Sequence, residues 1–205
     1  MKVSIIIPSS LEPRKHQASN PEDKLIRAVN SALNQDYEDI EVIVVADGCI
    51  KTLELLGITE LNEHPKFKDI YIDKQPAFSG NVRNTGIEAA TGDIICYLDA
   101  DDYLGTDHIS TIVKNFTGDW VWFNDMVYRN DQFEERQCSL KFGYCGTSNI
   151  AHLRSMKARW NELNTYARDD WEFIQNLQKE SPYGAKIETP TYIVCHIPFR
   201  KGYDL

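Results

Sequence analysis

A chain of 205 residues with 22 Lys and Arg against 31 Asp and Glu carries a formal net charge of −9. That charge disfavours a long nucleic-acid backbone as partner, because such binding rests on many Lys and Arg contacts to phosphate. Hydrophobic residues make up 42% of the chain, and no apolar run approaches the roughly 18–20 residues needed to span a bilayer, so one globular domain around a single core is expected. The N-terminal "MKVSIIIPSS" lacks the long apolar core and cleavage site of a secretory signal. Cys49, Cys96, Cys138, Cys145 and Cys195 are an odd number with no CxxC spacing. They argue against a disulfide framework or structural zinc site and for a reducing, cytoplasmic setting.

Val3 to Ile7 is a β-branched run closed by Pro8, the pattern of a strand buried on both faces. Ser9 to Asp23 is polar and long for a strand-to-helix connection, and such loops often carry function. Leu25, Ile26, Val29, Ala32 and Leu33 then recur at helical spacing, predicting a helix that ends near Asn34. Ile40 to Gly48 reads as a second buried strand, followed by a short helix over about Thr52 to Leu56, and "DIYID" as a third strand. Ser79 and Gly80 precede a helix carrying Val82, Ile87 and Ala90 and stopped by Gly92; "IICYL" is the fourth strand.

This alternation predicts an α/β fold with a largely parallel sheet. Ligands of such open sheets bind at the carboxyl ends of the strands. Three polar signatures fall there, Pro8-Ser9-Ser10, Ala46-Asp47-Gly48 and Asp99-Ala100-Asp101, and are expected to converge on one site. In the second half "WVWFND" reads as a strand with "MVYRN" as its antiparallel partner, and a turn is expected around Gly143 to Ser148. Helices are expected over Ile150 to Met156 and Asp170 to Gln178, and "PTYIVCHI" as the last strand.

The run "CYLDADDYL" crowds Asp99, Asp101 and Asp102 together. Like charges at this spacing repel, and desolvating them costs several kcal/mol unless a cation or hydrogen-bond donors compensate. On an extended chain Asp99 and Asp101 point to one side. Hard cations such as Mg²⁺ or Mn²⁺ take one or two carboxylates together with phosphate oxygens, so a metal-bridged nucleotide diphosphate fits.

Four elements in order, "VSIIIPSS" from Val3, "AVNSALNQDYEDIEVIVVADGC" from Ala28, "RNTGIEAATGDIICYLDADD" from Arg83 and "ARDDWEFIQNL" from Ala167, resemble the family 2 glycosyltransferases. These are inverting enzymes of GT-A fold. The resemblance implies a Rossmann-like, mostly parallel central sheet flanked by helices. It implies one domain over residues 1–205, with 1–102 as the nucleotide-sugar half and 103–205 as the acceptor and base half. The implied reaction moves a sugar from a nucleotide-diphosphate sugar, usually a UDP-sugar, to a hydroxyl of a glycan or other acceptor, with Mn²⁺ or Mg²⁺ as cofactor.

The resemblance also implies roles. Pro8 and Ser9 lie where the family contacts the nucleotide, and Asp47 where it accepts from the base, usually uracil N3–H, although Ala46 replaces a customary aspartate. Arg83 falls near the diphosphate, Asp99 and Ala100 near ribose and metal, and Asp101 at the metal-ligand position. His196 stands where many members complete the metal site, and Asp170 matches the general base; Asp169 replaces the usual glutamate beside it. Asp102 is expected to turn away and cap the following segment.

Simpler roles compete. Arg83 has a simpler reading as a solvated helix arginine, which is the lesser of the two, His196 as a structural histidine, and Asp169-Asp170 as favouring a helix N-terminus, to which the catalytic reading of Asp170 is preferred. Trp122, Tyr144, Trp160 and Trp171 are each expected in the core rather than on a sugar-stacking surface. Gly143 to Asn149 is expected at the acceptor pocket, and the tail "PFRKGYDL" to close over the donor with Arg200 and Lys201 near phosphate, unless it is a plain solvated tail. Two other functions are a catalytically silent nucleotide-sugar-binding module and a nucleotidyltransferase. The second is disfavoured because "IIPSSLEPRK" has no Gly-rich loop after the first strand. A nucleic-acid acceptor is disfavoured by charge, and a lipid-linked one has no sequence support.

Overall fold

The computed structural model describes residues 1–13, 17–75, 80–162, 169–197 and 202–205. Its elements are β1 (Val3–Ser9), α1 (Pro21–Leu33), β2 (Ile40–Asp47), α2 (Ile50–Gly57), β3 (Phe67–Ile72), α3 (Gly80–Ala89), β4 (Ile94–Tyr97) and β5 (Tyr103–Leu104). There follow α4 (His108–Asn115), β6 (Trp120–Arg129), β7 (Gln132–Arg136), β8 (Ile150–Leu153), α5 (Asp169–Glu180) and β9 (Gly184–Val194). One sheet in the order β3-β2-β1-β4-β8-β6-β9-β5, with β7 paired to β6, runs through both halves of the chain. β3, β2, β1 and β4 are parallel, as the alternation predicts. β8 then enters antiparallel between β4 and β6, and β9 lies parallel to β6.

The β-branched runs explain the centre of the sheet. Ile5, Ile7, Val42 and Val44 pack with Leu25, Ala28 and Val29 of α1 and Ile109 and Ile112 of α4. The alternate residues Ile6, Ile43 and Val45 pack with Val82 and Ile87 of α3 and Phe173, Ile174 and Leu177 of α5. Side chains alternate across a strand, so the two faces bury two layers of helices. A Cβ on Gly86 would stand 2.4 Å from Ile6 Cγ2, so α3 reaches β1 only with glycine at that position.

At the opposite end from the strand carboxyl termini, buried Glu41 accepts from Ser4 Oγ at 2.6 Å and Thr91 N at 2.5 Å. Burial alone raises its carboxyl, but these bonds outweigh it and hold the group down at about 2. A depressed acid contributes stability above its unfolded value that is lost as pH falls through the folded one. Glu41 is therefore expected to remove ~3 kcal/mol between pH 4.5 and about 2. Urea midpoints across that window should fall steeply for the wild type and less so for Glu41→Gln; equal slopes would exclude the effect.

Three sequence expectations change. "MVYRN" continues β6 rather than pairing with it, because the chain reverses later, at Asn130 and Asp131, both left-handed with φ 48 and 64. Two such residues make a tight hairpin turn, and β7 is the partner, with Tyr128 opposite Phe133. Ile150 to Leu153 is strand β8, not helix: it is sandwiched between β4 and β6, and a short apolar run buried on both faces has no periodicity to read. The last strand starts at Gly184 and ends at Val194. Pro190 sits where the β6 pairing shifts register between Phe123 and Asp125, a position that needs no ladder N–H. β5 and α4 have no counterpart in the sequence reading.

All five cysteines are free and buried. Among the described residues no helix is long and apolar enough to cross a membrane.

Candidate active site

The carboxyl ends of β1, β2 and β4 lie side by side in the sheet and bring the three polar signatures together. Pro8 is half-buried, and Ser9 is buried with its Oγ 3.2 Å from Thr52 Oγ1 of α2. Asp47 accepts from Gln75 N at 2.7 Å and from Lys74 Nζ at 2.5 Å. Gly48, at φ 61, permits this: a Cβ there would fall 2.5 Å from Lys74 Cβ, so only glycine lets the segment after β3 cross the end of β2.

Arg83 is not a solvated helix arginine, being only 6% exposed. Its Nη2 donates to Asp99 Oδ1 at 2.7 Å and its guanidinium lies 4.9 Å from the Trp160 ring. Asn84, next on α3, fixes that ring by accepting from Trp160 N at 2.9 Å and donating to Trp160 O at 2.9 Å.

The carboxylate run departs from the extended reading. β4 stops at Tyr97, and Asp102 N donates to Asp99 O at 3.1 Å, so Asp99, Ala100 and Asp101 occupy a turn. All three are half-buried. Asp102 does not cap the next segment. It turns inward and accepts from Cys195 N at 2.7 Å and Tyr192 Oη at 3.0 Å, because the end of β9 and the residue after it supply donors there that water would otherwise have to provide. Burial, then the charges of Asp101 and Asp99, push its carboxyl well above the usual range.

Asp169 and Asp170 open α5. Asp170 accepts from Thr147 Oγ1 at 2.5 Å, and Gly146 lies so close that a Cβ there would be 3.3 Å from Asp170 Oδ2. Burial raises the Asp170 carboxyl, opposed by the charge of Arg83 and the Thr147 hydrogen bond and reinforced by Asp99. Asp169 is 7% exposed, and its carboxyl is pushed up to about 6, first by burial and then by Asp170, again opposed by Arg83. Its Oδ1 is buried without a hydrogen-bond partner among the described residues. One cation, Arg83, therefore acts on the carboxylate turn and on the acidic pair at once.

His196 follows Cys195, whose N donates to Asp102 Oδ1. Its Nδ1 is 3.1 Å from Tyr203 O, in a bridge between His196 and Asp204. Among the described residues no group of three or more His, Cys, Asp or Glu is placed to hold a metal. Tail residues Tyr203 to Leu205 are fastened beside α1, where Asp204 meets Lys24 and Ser19 N and Leu205 N donates to Cys195 O at 3.2 Å. Arg200, Lys201, Ser79, Ala167 and Arg168 lie outside the described residues.

Trp160 is core, and Trp122 and Trp171 are half-buried, but Tyr144 is 66% exposed. The turn closed by Tyr144 N and Lys141 O, with Gly143 at φ 78, projects it from the loop that leads to Thr147. Thr147, Lys74, Arg27 and Tyr192 belong to the site's surroundings without any signal in local sequence. Arg27 of α1 donates to Asp101 O at 2.9 Å from 74 residues away.

The family model described as "Glycosyl transferase family 2" matches residues 4–179. An uncharacterized glycosyltransferase of Nostoc sp. is 36% identical over 118 residues, 57% of this chain and 33% of that protein. Chondroitin synthase of Escherichia coli is 33% identical over 118 residues, again 57% of this chain but 16% of that protein. The chain thus spans a third or less of these relatives. Among solved structures, S. aureus TarS 1-349 in complex with UDP-GlcNAc superposes with TM-score 0.74 at 17% identity, covering 94% of this chain and 58% of that one. A mannosyltransferase from Pyrobaculum calidifontis in complex with GDP-Man and Mn²⁺ gives TM-score 0.69 at 17% identity, covering 98% and 58%. These structures share the fold, and on the family match across residues 4–179 the chain belongs to glycosyl transferase family 2.

Proposed function

We propose that this chain transfers a sugar, with inversion, from a nucleotide-diphosphate sugar to an acceptor hydroxyl. A UDP-sugar is the first candidate donor, and Asp170 is the general base. The observation that carries the reading is the placement of Arg83, which pairs with Asp99 while its charge bears on Asp169 and Asp170. Donor and base sites are thereby adjacent, as a one-step displacement requires. The UDP-GlcNAc and GDP-Man in the neighbouring structures support a nucleotide-sugar donor here.

In this reading residues 1–102 hold the donor and residues 103–205 the acceptor and base. Asp47, steered by Lys74 and Gln75, accepts from the base N–H, with Pro8 and Ser9 at the nucleotide's edge. Arg83 and the turn Asp99-Ala100-Asp101 face the diphosphate. Asp99 and Asp101 are oxygen donors, which suits Mn²⁺ or Mg²⁺ taking its remaining ligands from phosphate and water, and two protein carboxylates suffice for that. When bound, such a cation stabilises charge on the departing diphosphate. His196, tied to Tyr203, would have to leave that partner to join. Asp170 takes the acceptor proton as the oxygen attacks, and Thr147 keeps its carboxylate aimed. Five free cysteines accord with a reducing, cytoplasmic compartment.

The test is donor consumption without acceptor: slow, Mn²⁺-dependent release of UDP from UDP-GlcNAc or another UDP-sugar is expected. Tight UDP binding with no release from any sugar conjugate would make the chain a binding module instead.

The acidic pair sets the pH dependence. Asp169 and Asp170 face Arg83, Asp99, Glu172 and Thr147, and both carboxyls are raised. A base must be deprotonated, so turnover should rise with pH through an acid limb above the usual aspartate range, because burial raises the Asp170 carboxyl. A log kcat profile flat down to pH 4.5 would contradict it.

A further inference from the structure

We infer that Tyr192 is a positioning residue for the carboxylate turn, acting on its backbone rather than on its outer carboxylates; this rests on the reading of Asp99 and Asp101 as metal-facing groups. Tyr192 is fully buried on β9, where it pairs with Leu104 of β5 and Asp125 of β6. A buried phenol must find partners for its hydroxyl. This one accepts from Asp99 N at 3.0 Å and donates to Asp102 Oδ2 at 3.0 Å. The second Asp102 oxygen accepts from Cys195 N at 2.7 Å, so the residue that directly follows the strand carrying Tyr192 also grips the far end of the turn.

The turn needs such a hold. Its own closure is one bond, Asp102 N to Asp99 O, and it carries charges that push its ends apart. Tyr192 fixes the backbone N–H at one end, and Arg27, 5.1 Å from the Tyr103 ring, fixes the Asp101 carbonyl on the other flank. Neither uses the Asp99 or Asp101 carboxylate. Both carboxylates therefore stand on a backbone fixed before any ligand arrives, which removes an ordering cost from binding.

Tyr192→Phe deletes one oxygen and keeps the packing. Calorimetry of UDP with and without Mn²⁺ should show the Mn²⁺ enhancement of affinity reduced at least tenfold, with metal-free UDP affinity unchanged. A variant that melts lower yet keeps the full enhancement has lost only a structural bond and overturns the inference. Wild type showing no enhancement would instead remove the metal reading of the turn. Should Tyr192→Phe fail to fold, the Asp99 amide of the wild type is measured directly by hydrogen exchange. At least 100-fold protection in the free protein is expected, and exchange at the rate of an open loop overturns the inference.

Discussion

Asp170→Asn is expected to lower sugar transfer by roughly 100-fold or more while leaving UDP-sugar affinity nearly unchanged, the signature of a lost general base. The amide cannot take the acceptor proton, yet it retains an oxygen for the Thr147 hydroxyl that now sits 2.5 Å from Asp170 Oδ1. The fold should not suffer. Burial disfavours the charged form of Asp170, so replacing it with a neutral amide relieves a penalty, and the melting temperature should hold or rise. Turnover near the wild-type rate would pass the role to Asp169, whose raised carboxyl sits beside it.

Asp101→Ala is expected to abolish the Mn²⁺-dependent part of UDP binding with little loss of stability. Arg27 holds the Asp101 carbonyl, which alanine retains, and the side chain is only half-buried. The turn should persist while losing one of its two hard oxygen donors. Removing one of three crowded like charges also relieves repulsion on Asp102, whose carboxyl is raised in part by Asp101. Calorimetry showing the same Mn²⁺ enhancement as wild type would exclude Asp101 as the ligand.

The parallel part of the sheet was legible because β1, β2 and β4 are buried on both faces and so read as β-branched runs. Strand β8 is buried in the same way, but four residues without alternation look no more like a strand than like a helix turn. The site divides similarly. Asp47, Asp99, Asp101 and Asp170 are carboxylates placed by sequence at strand ends or a helix start, and each announces itself. The residues that meet them and Asp102 from elsewhere in the chain, Arg83 apart, do not: Thr147 reaches Asp170 across 23 residues and Tyr192 reaches Asp102 across 90. The Tyr192 contact depends on how β9 folds back beside β6, which no local pattern encodes. Asp102 differs from its sequence expectation for that reason: its neighbours in sequence suggest a cap, whereas its neighbours in space are Tyr192 and Cys195. Tyr144 is exposed although aromatic size alone points to the core, because the turn at Gly143 projects it outward.

A thermal-shift panel of UDP, GDP, dTDP and CMP and their common sugar conjugates, each with and without Mn²⁺, tests nucleotide-sugar binding most directly. A ligand at about 100 times its Kd adds about 2.7 kcal/mol to the native state, enough for a shift of several degrees. UDP and a UDP-sugar are expected to raise the melt, and to raise it further with Mn²⁺. A melt unmoved by every nucleotide, with or without the metal, would contradict a donor site built from Asp47, Arg83, Asp99 and Asp101.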